Sequence, residues 1–561
     1  MSAAAGIGRP ADPAPRLADL QHSLETHVLS KLEYLNAIGV ALSQERDINR
    51  LLETILVAAK NLTRADGGTL YRLVDDRLHF EIMRNDSLAI AMGGTSGTAI
   101  PFYPIPLHDK DGNPNLTMIA AYVAINDRTV NIADAYTEEG FDFSGTRNFD
   151  KRTGYRSTSF LTVPMKNHEG EIIGVLQLLN AIDSGTGAVT VFSDEDRRLA
   201  ESLASQAAIA LTNRLLIQQL EVLFESLIEL INTAIDDKSP YTGGHCKRVP
   251  TLTMMLAEAA HAAAEGPLAS FRMTDKDRYE LKIAGLLHDC GKITTPVHVV
   301  DKATKLQTIF DRIALVDTRF EALKREAEVA MLRAVLAARE AGDASSEARA
   351  REDFAAKVRQ YDDDREFLRR TNVGGERMSP EDQARVSRIA QYAWTGPEGV
   401  PERFLSRDEE ANLNIPYGTL NPKEREIINH HIVATIKMLE ALPWPRHLVN
   451  VPEYAGGHHE QMDGKGYPRG LTRAQMSVQA RIMRIADIFE ALTAKDRPYK
   501  PGKTLSESIA ILAKFKENGH IDPDLFDIFV KERVYLRYAR EFLDPEQIDD
   551  VDAARVPGLP G

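Results

Sequence analysis

Histidine and aspartate side chains recur in five short clusters in the second half of the chain. Each cluster lies in or beside an apolar run, where an unpaired imidazole or carboxylate would cost free energy on burial. One histidine in such a run is more often a satisfied core or surface residue than a metal ligand, because a metal site needs several convergent ligands. The clusters are YTGGHCKRV with His245, LLHDCGK with His288, Asp289 and Lys292, INHHIVATIKML with His430 and His431, GGHHEQMDGKGYPRGL with His458 and His459, and IMRIADIFEAL with Asp487.

The adjacent pair His288 and Asp289 favours a metal centre over isolated core residues. Neighbouring residues of a helix point about 100° apart, so this pair cannot easily chelate one ion side by side. A carboxylate can bridge two ions while the next imidazole binds one of them, and such two-metal sites are used to cleave phosphodiesters. The pattern predicts two divalent ions on nitrogen and oxygen ligands, which suits Fe, Mn, Zn or Ni and excludes a structural zinc–thiolate cluster.

In this order, the clusters resemble the HD-GYP domain, the branch of the HD superfamily that hydrolyses the bacterial second messenger cyclic di-GMP. The pattern HHExxDGxGYP, present at positions 458–468, is far more specific than a lone His-Asp pair. The resemblance covers about residues 222–306 and 420–535. It implies an all-α domain around a metal site with two or three ions.

The resemblance also implies which residues hold the metals. His431 is preferred to His430 because its flanking apolar residues match those of the family. Tyr241 stands where members with a third ion carry a carboxylate, so we expect two ions. One ion would be held by His245, His288, Asp289 and Asp487, and the other by Asp289, His431, His458 and His459, with Asp289 as the bridge.

Substrate contacts and function follow from the same resemblance. Catalysis is assigned to Asp289 and Lys292, with Lys292 on the scissile phosphate, and substrate binding to Lys292, Gly466, Tyr467, Arg497 and Lys500. The implied function is metal-dependent hydrolysis of cyclic di-GMP to pGpG and/or GMP. Two alternatives remain: a slow or inactive cyclic di-GMP sensor or scaffold, and an HD phosphohydrolase for another cyclic dinucleotide or nucleotide. A diguanylate cyclase with a GGDEF domain is a candidate partner.

The segment 307–420 interrupts this match where family members have a short connection. It contains a charged helical stretch broken at GDASS, which predicts an αα-hairpin with solvated faces. The insertion could cap the site, gate it or merely decorate the fold.

The first part of the chain predicts an α/β domain built on an antiparallel sheet. Alternating runs flank a turn at Asp75-Asp76 and another near residues 167–170, which are hairpin signals. The runs NFDKRTGYRSTSFLTVPM and GEIIGVLQLLNA resemble a GAF domain over about residues 35–215. The resemblance implies either a site for a cyclic nucleotide or other small ligand, or a dimerisation module without one. Asn180 is followed by Ala181 and not by the lysine of nucleotide-binding members.

A long helix is predicted to connect the two domains. Ser193 precedes Asp196 at capping-box spacing, and about forty residues then follow without Gly or Pro. Along this helix, apolar residues recur at alternating spacings of four and three residues. This pattern predicts the parallel coiled coil of a homodimer, and a helix packed on its own domain is the alternative. The seam consists of Leu216, Leu220, Leu223, Leu227, Leu230 and Ala234.

Composition limits the remaining possibilities. The chain of 561 residues has a hydrophobic content of 43% and a net charge of -14, which favours a multidomain globular protein and argues against DNA binding. With two cysteines, no secretory signal and no membrane-spanning run, we expect a cytoplasmic protein without a membrane partner. The predicted segments are a disordered start (1–30), a GAF domain (31–200), a linker helix (201–236), an HD-GYP domain (237–545) with its insertion, and a flexible tail (546–561).

Overall fold

The chain folds into two compact units, one ending at Phe224 and the other beginning at Glu225. Among the helices described, none combines the length and apolar content needed to cross a bilayer. A computed structural model describes residues 33–238, 244–375, 377–494, 502–552 and 556.

The first unit is built on one antiparallel sheet. Its strands are β1 (Ala65–Val74), β2 (Arg77–Asn85), β3 (Ile90–Gly93), β4 (Ile105–Pro106), β5 (Val130–Ile132), β6 (Phe160–Lys166), β7 (Ile172–Ile182) and β8 (Val189–Thr190). The sheet runs in the order β3-β2-β1-β7-β6-β5, with β4 paired to β2 and β8 to β7. This topology confirms the predicted antiparallel α/β domain.

Both predicted hairpin turns are present. Val74 pairs with Arg77, so Asp75 and Asp76 form a two-residue turn in which both have a left-handed backbone. Such turns match the twist of the strands they join. The second turn follows β6, where the Asn167 side chain accepts the backbone N–H of Glu169 and Glu171 and so holds the chain in its bend.

Helices cover the two faces of this sheet. They are α1 (residues 33–44), α2 (Ile48–Thr63), α3 (Ile119–Asn126), α4 (Ser144–Thr153) and the start of α5 (Asp194–Lys238). Successive strand residues point to opposite faces, so Leu176 joins α1, α2 and α5 in one core whereas Val175 joins α3 in the other.

Helix α5 confirms the predicted long connecting helix, with 45 residues. At its start, Ser193 and Asp196 exchange hydrogen bonds of 2.9 and 3.1 Å between side chain and backbone, as a capping box does. The leucines of the predicted seam are exposed in the single chain, whereas Ile228 and Ile235 on another face are buried. Among the described residues, these leucine side chains are therefore left largely uncovered.

The second unit is helical and carries the residue clusters described above. Its helices outside the insertion are α6 (His245–Ala262), α7 (Asp275–Leu287), α8 (Val297–Val300), α13 (Pro422–Glu440), α14 (Val451–Gly456), α15 (Val478–Thr493), α16 (Leu505–Glu517), α17 (Pro523–Lys531) and α18 (Val534–Phe542). A short 3-10 helix, Cys290–Thr294, follows the His288-Asp289 pair.

The insertion has a core of its own. Helices α9 (Ile313–Glu340) and α10 (Ala344–Asn372) form the predicted αα-hairpin, which breaks where Asp343 caps α10. Phe320, Leu368 and Phe404 are buried inside it. The remaining elements are α11 (Pro380–Ile389), β9 (Ala393–Thr395), β10 (Pro401–Arg403) and α12 (Arg407–Leu413).

Candidate metal centre

Seven predicted ligands from five segments converge at one point of the second unit. Helix α6 begins at one of them, α7 ends just before a pair, α13 and α15 each carry one, and the last two follow α14. Within each of three sets of three residues, the candidate ligand atoms lie within 4.8 Å of one another. The seven are His245, His288, Asp289, His431, His458, His459 and Asp487.

Asp289 lies at the middle of this group. Its Oδ2 atom is 3.1 Å from His245 Nε2 and 3.3 Å from His288 Nε2. Its Oδ1 atom is 3.3 Å from His431 Nε2 and 4.0 Å from His458 Nε2. Each carboxylate oxygen therefore faces a different pair of imidazoles, which is the arrangement a bridging ligand requires.

One further predicted ligand lies beside each half. Asp487 Oδ1 is 3.5 Å from His245 Nε2, on the side of Oδ2. His459 Nε2 is 3.1 Å from His431 Nε2, on the side of Oδ1. The halves match the two predicted ligand sets.

The histidine rings are oriented by hydrogen bonds from their other nitrogen. His288 Nδ1 lies 2.7 Å from the carbonyl oxygen of Gly285. His431 and His458 contact the carbonyls three residues before them in the same way, the latter at 2.6 Å. Because Nδ1–H donates to these carbonyls, Nε2 is left as the unprotonated ligand atom.

His245 is oriented by a carboxylate instead. Its Nδ1 is 2.5 Å from Glu490 Oε2, and Arg248 pairs with the other oxygen of Glu490 at 2.7 Å. Burial raises the pKa of Glu490, but His245 and Arg248 outweigh it and hold the pKa at about 2. An ionised carboxylate behind a ligand imidazole is a common outer-shell arrangement in metal sites.

The close approach of α13 to the 3-10 helix brings His431 to Asp289. Gly291 donates its backbone N–H to Thr435 Oγ1 at 2.9 Å, and a Cβ on Gly291 would overlap the carbonyl oxygen of His431. Glycine is therefore required at this position, directly after the His-Asp-Cys run. Sequence reasoning assigned it no role.

The donor set fits divalent cations. His245 Nε2 and His288 Nε2 are 3.3 Å apart. When the Nδ1 atoms carry the protons, both Nε2 atoms are acceptors and neither can donate to the other. Asp289 Oδ1 and His458 Nε2 are buried without a hydrogen-bond partner among the described residues. Buried acceptors left unpaired are costly, and a bound cation satisfies all of them at once. Burial, together with repulsion from His288, also lowers the pKa of His458 to about 4, which favours the neutral ligand form.

Comparison with known protein families identifies domains in both parts of the chain. Two HD domain models match residues 242–370 and 408–525, and a GAF domain model matches residues 47–211. The chain carries a GAF domain followed by an HD domain. Both resemblances drawn from the sequence are thereby confirmed.

Individual relatives match the chain over short segments. A 3'3'-cGAMP-specific phosphodiesterase 1 of Vibrio cholerae is 44% identical over 81 residues, 14% of this chain and 19% of the relative. A cyclic di-GMP phosphodiesterase of Pseudomonas aeruginosa is 47% identical over 74 residues, 13% of this chain and 17% of the relative. A 3'3'-cGAMP-specific phosphodiesterase 3 of Vibrio cholerae is 38% identical over 151 residues, 27% of this chain and 29% of the relative. The aligned segments thus span less than a third of these relatives.

Lys292 places a cation beside the centre of the HD domain. Its Nζ is 2.5 Å from Asp289 Oδ2, and about a fifth of the side chain is exposed. Burial lowers the pKa of Lys292, but the attraction of Asp289 is stronger and raises it above its ordinary value. The ammonium therefore stays charged at neutral pH.

Glu460, the acid that follows the two histidines, organises the Gly-Tyr-Pro loop. It is fully buried and accepts the backbone N–H groups of Arg469 and Leu471 at 2.7 and 2.9 Å. A Cβ on Gly466 would overlap the backbone of Glu460, so the loop packs directly on the histidine turn. This explains the glutamate of the motif, for which the sequence suggested no structural role.

A cavity of about 570 Å³ borders the centre. Tyr467 lines it and stacks on the ring of His459, with centroids 4.8 Å apart and an angle of 14° between planes. Other lining residues are Tyr417, Gln461, Arg484, Asp487, Lys503, Phe515 and His520. Gly466 does not line it, and the predicted phosphate contacts Arg497 and Lys500, like Tyr241, lie outside the described residues.

Arg484 was missed by sequence reasoning. It is almost fully buried and donates from Nε to the carbonyl of His520 at 2.6 Å and from Nη1 to that of His458 at 3.2 Å. Its place one turn before Asp487 on α15 was the available signal, because residues three apart share a helix face. It gives the cavity wall a fixed cation.

The GAF domain has a separate cavity of about 450 Å³. Its lining includes six aromatic residues and seven other residues with polar or charged side chains. Asn180 does not line it; the side chain accepts the backbone N–H groups of Thr158 and Ser159 and donates to the carbonyl of Arg156. The aromatic walls are Tyr71, Phe80, Phe102, Phe143, Phe149 and Phe160, and the polar groups include Asp142, Ser144, Arg152, Ser157 and Gln177.

Proposed function

We propose that the HD domain is a metal-dependent phosphodiesterase that hydrolyses cyclic di-GMP to pGpG and/or GMP under regulation by the GAF domain. The observation that carries the proposal is the position of Asp289, whose two oxygens each face a separate set of imidazoles beside an open cavity. The names of the matching relatives, cyclic di-GMP and 3'3'-cGAMP phosphodiesterases, support the same chemistry.

In this proposal the seven clustered ligands hold two divalent ions, with Asp289 shared. When bound, such a pair supplies Lewis-acid stabilisation of the charge on the phosphoryl oxygens and activation of the attacking water. Glu490 and the three backbone carbonyls fix the imidazoles before substrate arrives, so little reorganisation accompanies the reaction. Fe, Mn, Zn and Ni all suit nitrogen and oxygen ligands.

Two fixed cations act on the substrate directly. Lys292 reaches the centre from the 3-10 helix and is proposed to contact the scissile phosphate. Arg484 is proposed to contact the second phosphate, since it faces the same cavity with its position set by two carbonyls. Positioned cations stabilise developing negative charge more than mobile ones do, because they need not reorganise.

The first test compares metal content and turnover. Wild-type protein purified anaerobically is expected to carry two ions per chain and to open cyclic di-GMP, with 3'3'-cGAMP assayed in parallel because relatives bear that name. The His288→Ala, Asp289→Ala double variant is expected to lose both metal and turnover. Asp364→Asn is the control, since this buried carboxylate of the insertion bonds only within the insertion, to Arg385 and Tyr392.

Metal-loaded wild type without turnover on either dinucleotide would contradict the enzyme. Binding of cyclic di-GMP in that case would favour the sensor or scaffold. Hydrolysis of 3'3'-cGAMP alone would correct the substrate and leave the metal chemistry in place.

Regulation is proposed to run through α5 into the 3-10 helix. Near the end of α5, Lys238 donates its ammonium to the carbonyls of Lys292 and Ile293. A ligand in the GAF cavity that shifts α5 would therefore act on the segment that presents Asp289 and Lys292. If neither cAMP nor cGMP moves the melting temperature of the GAF domain, these two nucleotides are not its ligands.

A homodimer is proposed to form along the exposed leucine seam of α5. Five leucines with a and d spacing are exposed over four turns, and apolar seams of this kind bury themselves in a partner helix. Leu220→Glu with Leu223→Glu is expected to convert a dimer to a monomer in sedimentation analysis. Gln218→Glu with Gln219→Glu, on the same turns but outside the seam, is the control. A dimer that persists in the leucine variant would place the interface elsewhere.

A further inference from the structure

Among the described residues, the insertion contributes one side chain to the lining of the HD-domain cavity. Tyr417, near the end of the insertion, lines the same cavity as His459, Tyr467 and Arg484. Its side chain is 63% exposed, and no hydrogen bond of its hydroxyl is found within the described part of the chain. Most of the ring surface is therefore available to contact a ligand.

The backbone on the amino-terminal side of Tyr417 is held firmly. Lys305 is buried and donates from Nζ to the carbonyls of Leu413 and Ile415 at 2.9 and 2.8 Å. The backbone N–H of Met378 donates to the carbonyl of Pro416 at 2.9 Å. These bonds fix both residues that precede the tyrosine.

The backbone on the carboxy-terminal side is held as well. Thr419 donates its hydroxyl to the carbonyl of Lys302 at 2.9 Å, and the buried ammonium of Lys302 contacts both oxygens of Glu424 at 2.8 Å. Asn421 then caps α13, the helix that carries His431. The tyrosine therefore stands on a loop tied directly to a helix of the metal centre.

A fixed, exposed ring on a cavity wall suits a flat apolar partner. Nucleobases stack on aromatic side chains with about 1–3 kcal/mol per base, whichever base is present. Because the loop is ordered by its own hydrogen bonds, little conformational entropy remains to be lost when the ring is covered. The cavity also offers Arg484 for phosphate, so its walls carry both features that a nucleotide needs.

We propose that Tyr417 is a specificity-determining residue that stacks on a purine base of the substrate, so that the insertion takes part in substrate binding. The inference rests on the proposed function of the cavity in cyclic dinucleotide hydrolysis. It assigns a role to a segment that the HD-GYP resemblance does not cover.

The test separates base recognition from metal chemistry. Tyr417→Ala and Tyr417→Phe are compared with wild type on cyclic di-GMP in the full metal-loaded chain, and the metal content per chain is measured for each. We expect Tyr417→Ala to raise KM for cyclic di-GMP by about five- to 150-fold, the range for one lost base stack. Tyr417→Phe should keep the wild-type KM, and both variants should keep the metal content of the wild type. Phe310→Ala, an exposed aromatic residue of the same insertion that does not line the cavity, is the matched control.

Calorimetric titration of cyclic di-GMP provides a second readout that does not depend on turnover. The Kd should weaken by the same factor as KM in Tyr417→Ala and stay unchanged in Phe310→Ala. An unchanged KM and Kd in Tyr417→Ala, or a loss of equal size in Tyr417→Phe, would overturn the role of Tyr417. A wild type that binds cyclic di-GMP without hydrolysing it contradicts only the proposed enzyme, and the Kd comparison then decides on Tyr417. A wild type that neither binds nor hydrolyses cyclic di-GMP or 3'3'-cGAMP overturns both proposals.

Discussion

The two cavities of this chain differ in how strongly their lining residues depend on one another. In the HD domain, imidazoles and carboxylates converge and each is oriented by a specific backbone or side-chain partner. In the GAF domain, aromatic rings make up part of the walls, and the Tyr71 ring lies tilted against Phe80 with centroids 4.8 Å apart. Removing one member of a buried cluster of charged groups leaves the others without a partner, which is costly. Removing one polar group beside packed aromatic rings leaves the packing in place and costs less. Substitutions should therefore cause large losses of metal binding or turnover in the HD-domain cavity and small losses of stability in the GAF cavity.

The largest difference is expected between two adjacent histidines of α13. His431 is buried with Nε2 at 3.3 Å from Asp289, whereas His430 is exposed. His431→Ala should remove one ion per chain and reduce turnover by at least about a thousandfold, since a metal supplies several kcal/mol of transition-state stabilisation. His430→Ala should match wild type in both. Metal analysis and steady-state kinetics measure the two effects.

Equal effects of the two substitutions would contradict the ligand assignment. So would full metal content in His431→Ala. Loss of metal from His430→Ala alone would mean that the neighbouring histidine is the ligand.

The metal centre also shows which features could be predicted from the sequence and which could not. The resemblance to the HD-GYP domain implied that these seven residues converge in two sets, and the structure brings them together; their role as metal ligands stays a prediction. The roles of Glu490 and Glu460 were not predicted, because hydrogen bonds from one segment to another depend on how helices and loops pack. Arg484 was missed for the same reason: its chemistry comes from facing carbonyls far along the chain.

The insertion shows the same limit at the level of the fold. Its αα-hairpin was predicted from charge pattern and a turn signal, and its bounds agree with the break at Asp343. Whether it would cap, gate or decorate the site was left open. Only the packing of the loop around Tyr417 relates it to the cavity, and no local sequence pattern encodes that contact.

A smaller but still steep effect is expected at Glu490. Glu490→Gln keeps the shape of the side chain but removes the charge that faces His245 Nδ1. Loss of an outer-shell carboxylate costs about 10- to 100-fold in metal affinity. Competition titration with a chelator should show one weakened ion, on the His245 side, and an unchanged ion on the His431 side. The second ion serves as the internal control, and equal weakening of both would indicate a general loss of structure instead.

The smallest effect is expected at Tyr71 in the GAF cavity. Tyr71→Phe removes a hydroxyl that donates to Gln177 Oε1 at 3.1 Å and leaves the ring in place against Phe80. A neutral hydrogen bond contributes about 0.5–1.5 kcal/mol, so the free energy of unfolding of the GAF domain should fall by no more than that. Tyr155→Phe is the matched comparison, because its hydroxyl donates to the buried carboxylate of Asp66, and bonds to charged groups contribute about 1.5–3 kcal/mol. Chemical unfolding followed by circular dichroism measures both. If Tyr71→Phe cost as much as Tyr155→Phe, a neutral hydrogen bond in the GAF cavity would contribute as much as one to a buried carboxylate, and the small effects expected for this cavity would be wrong.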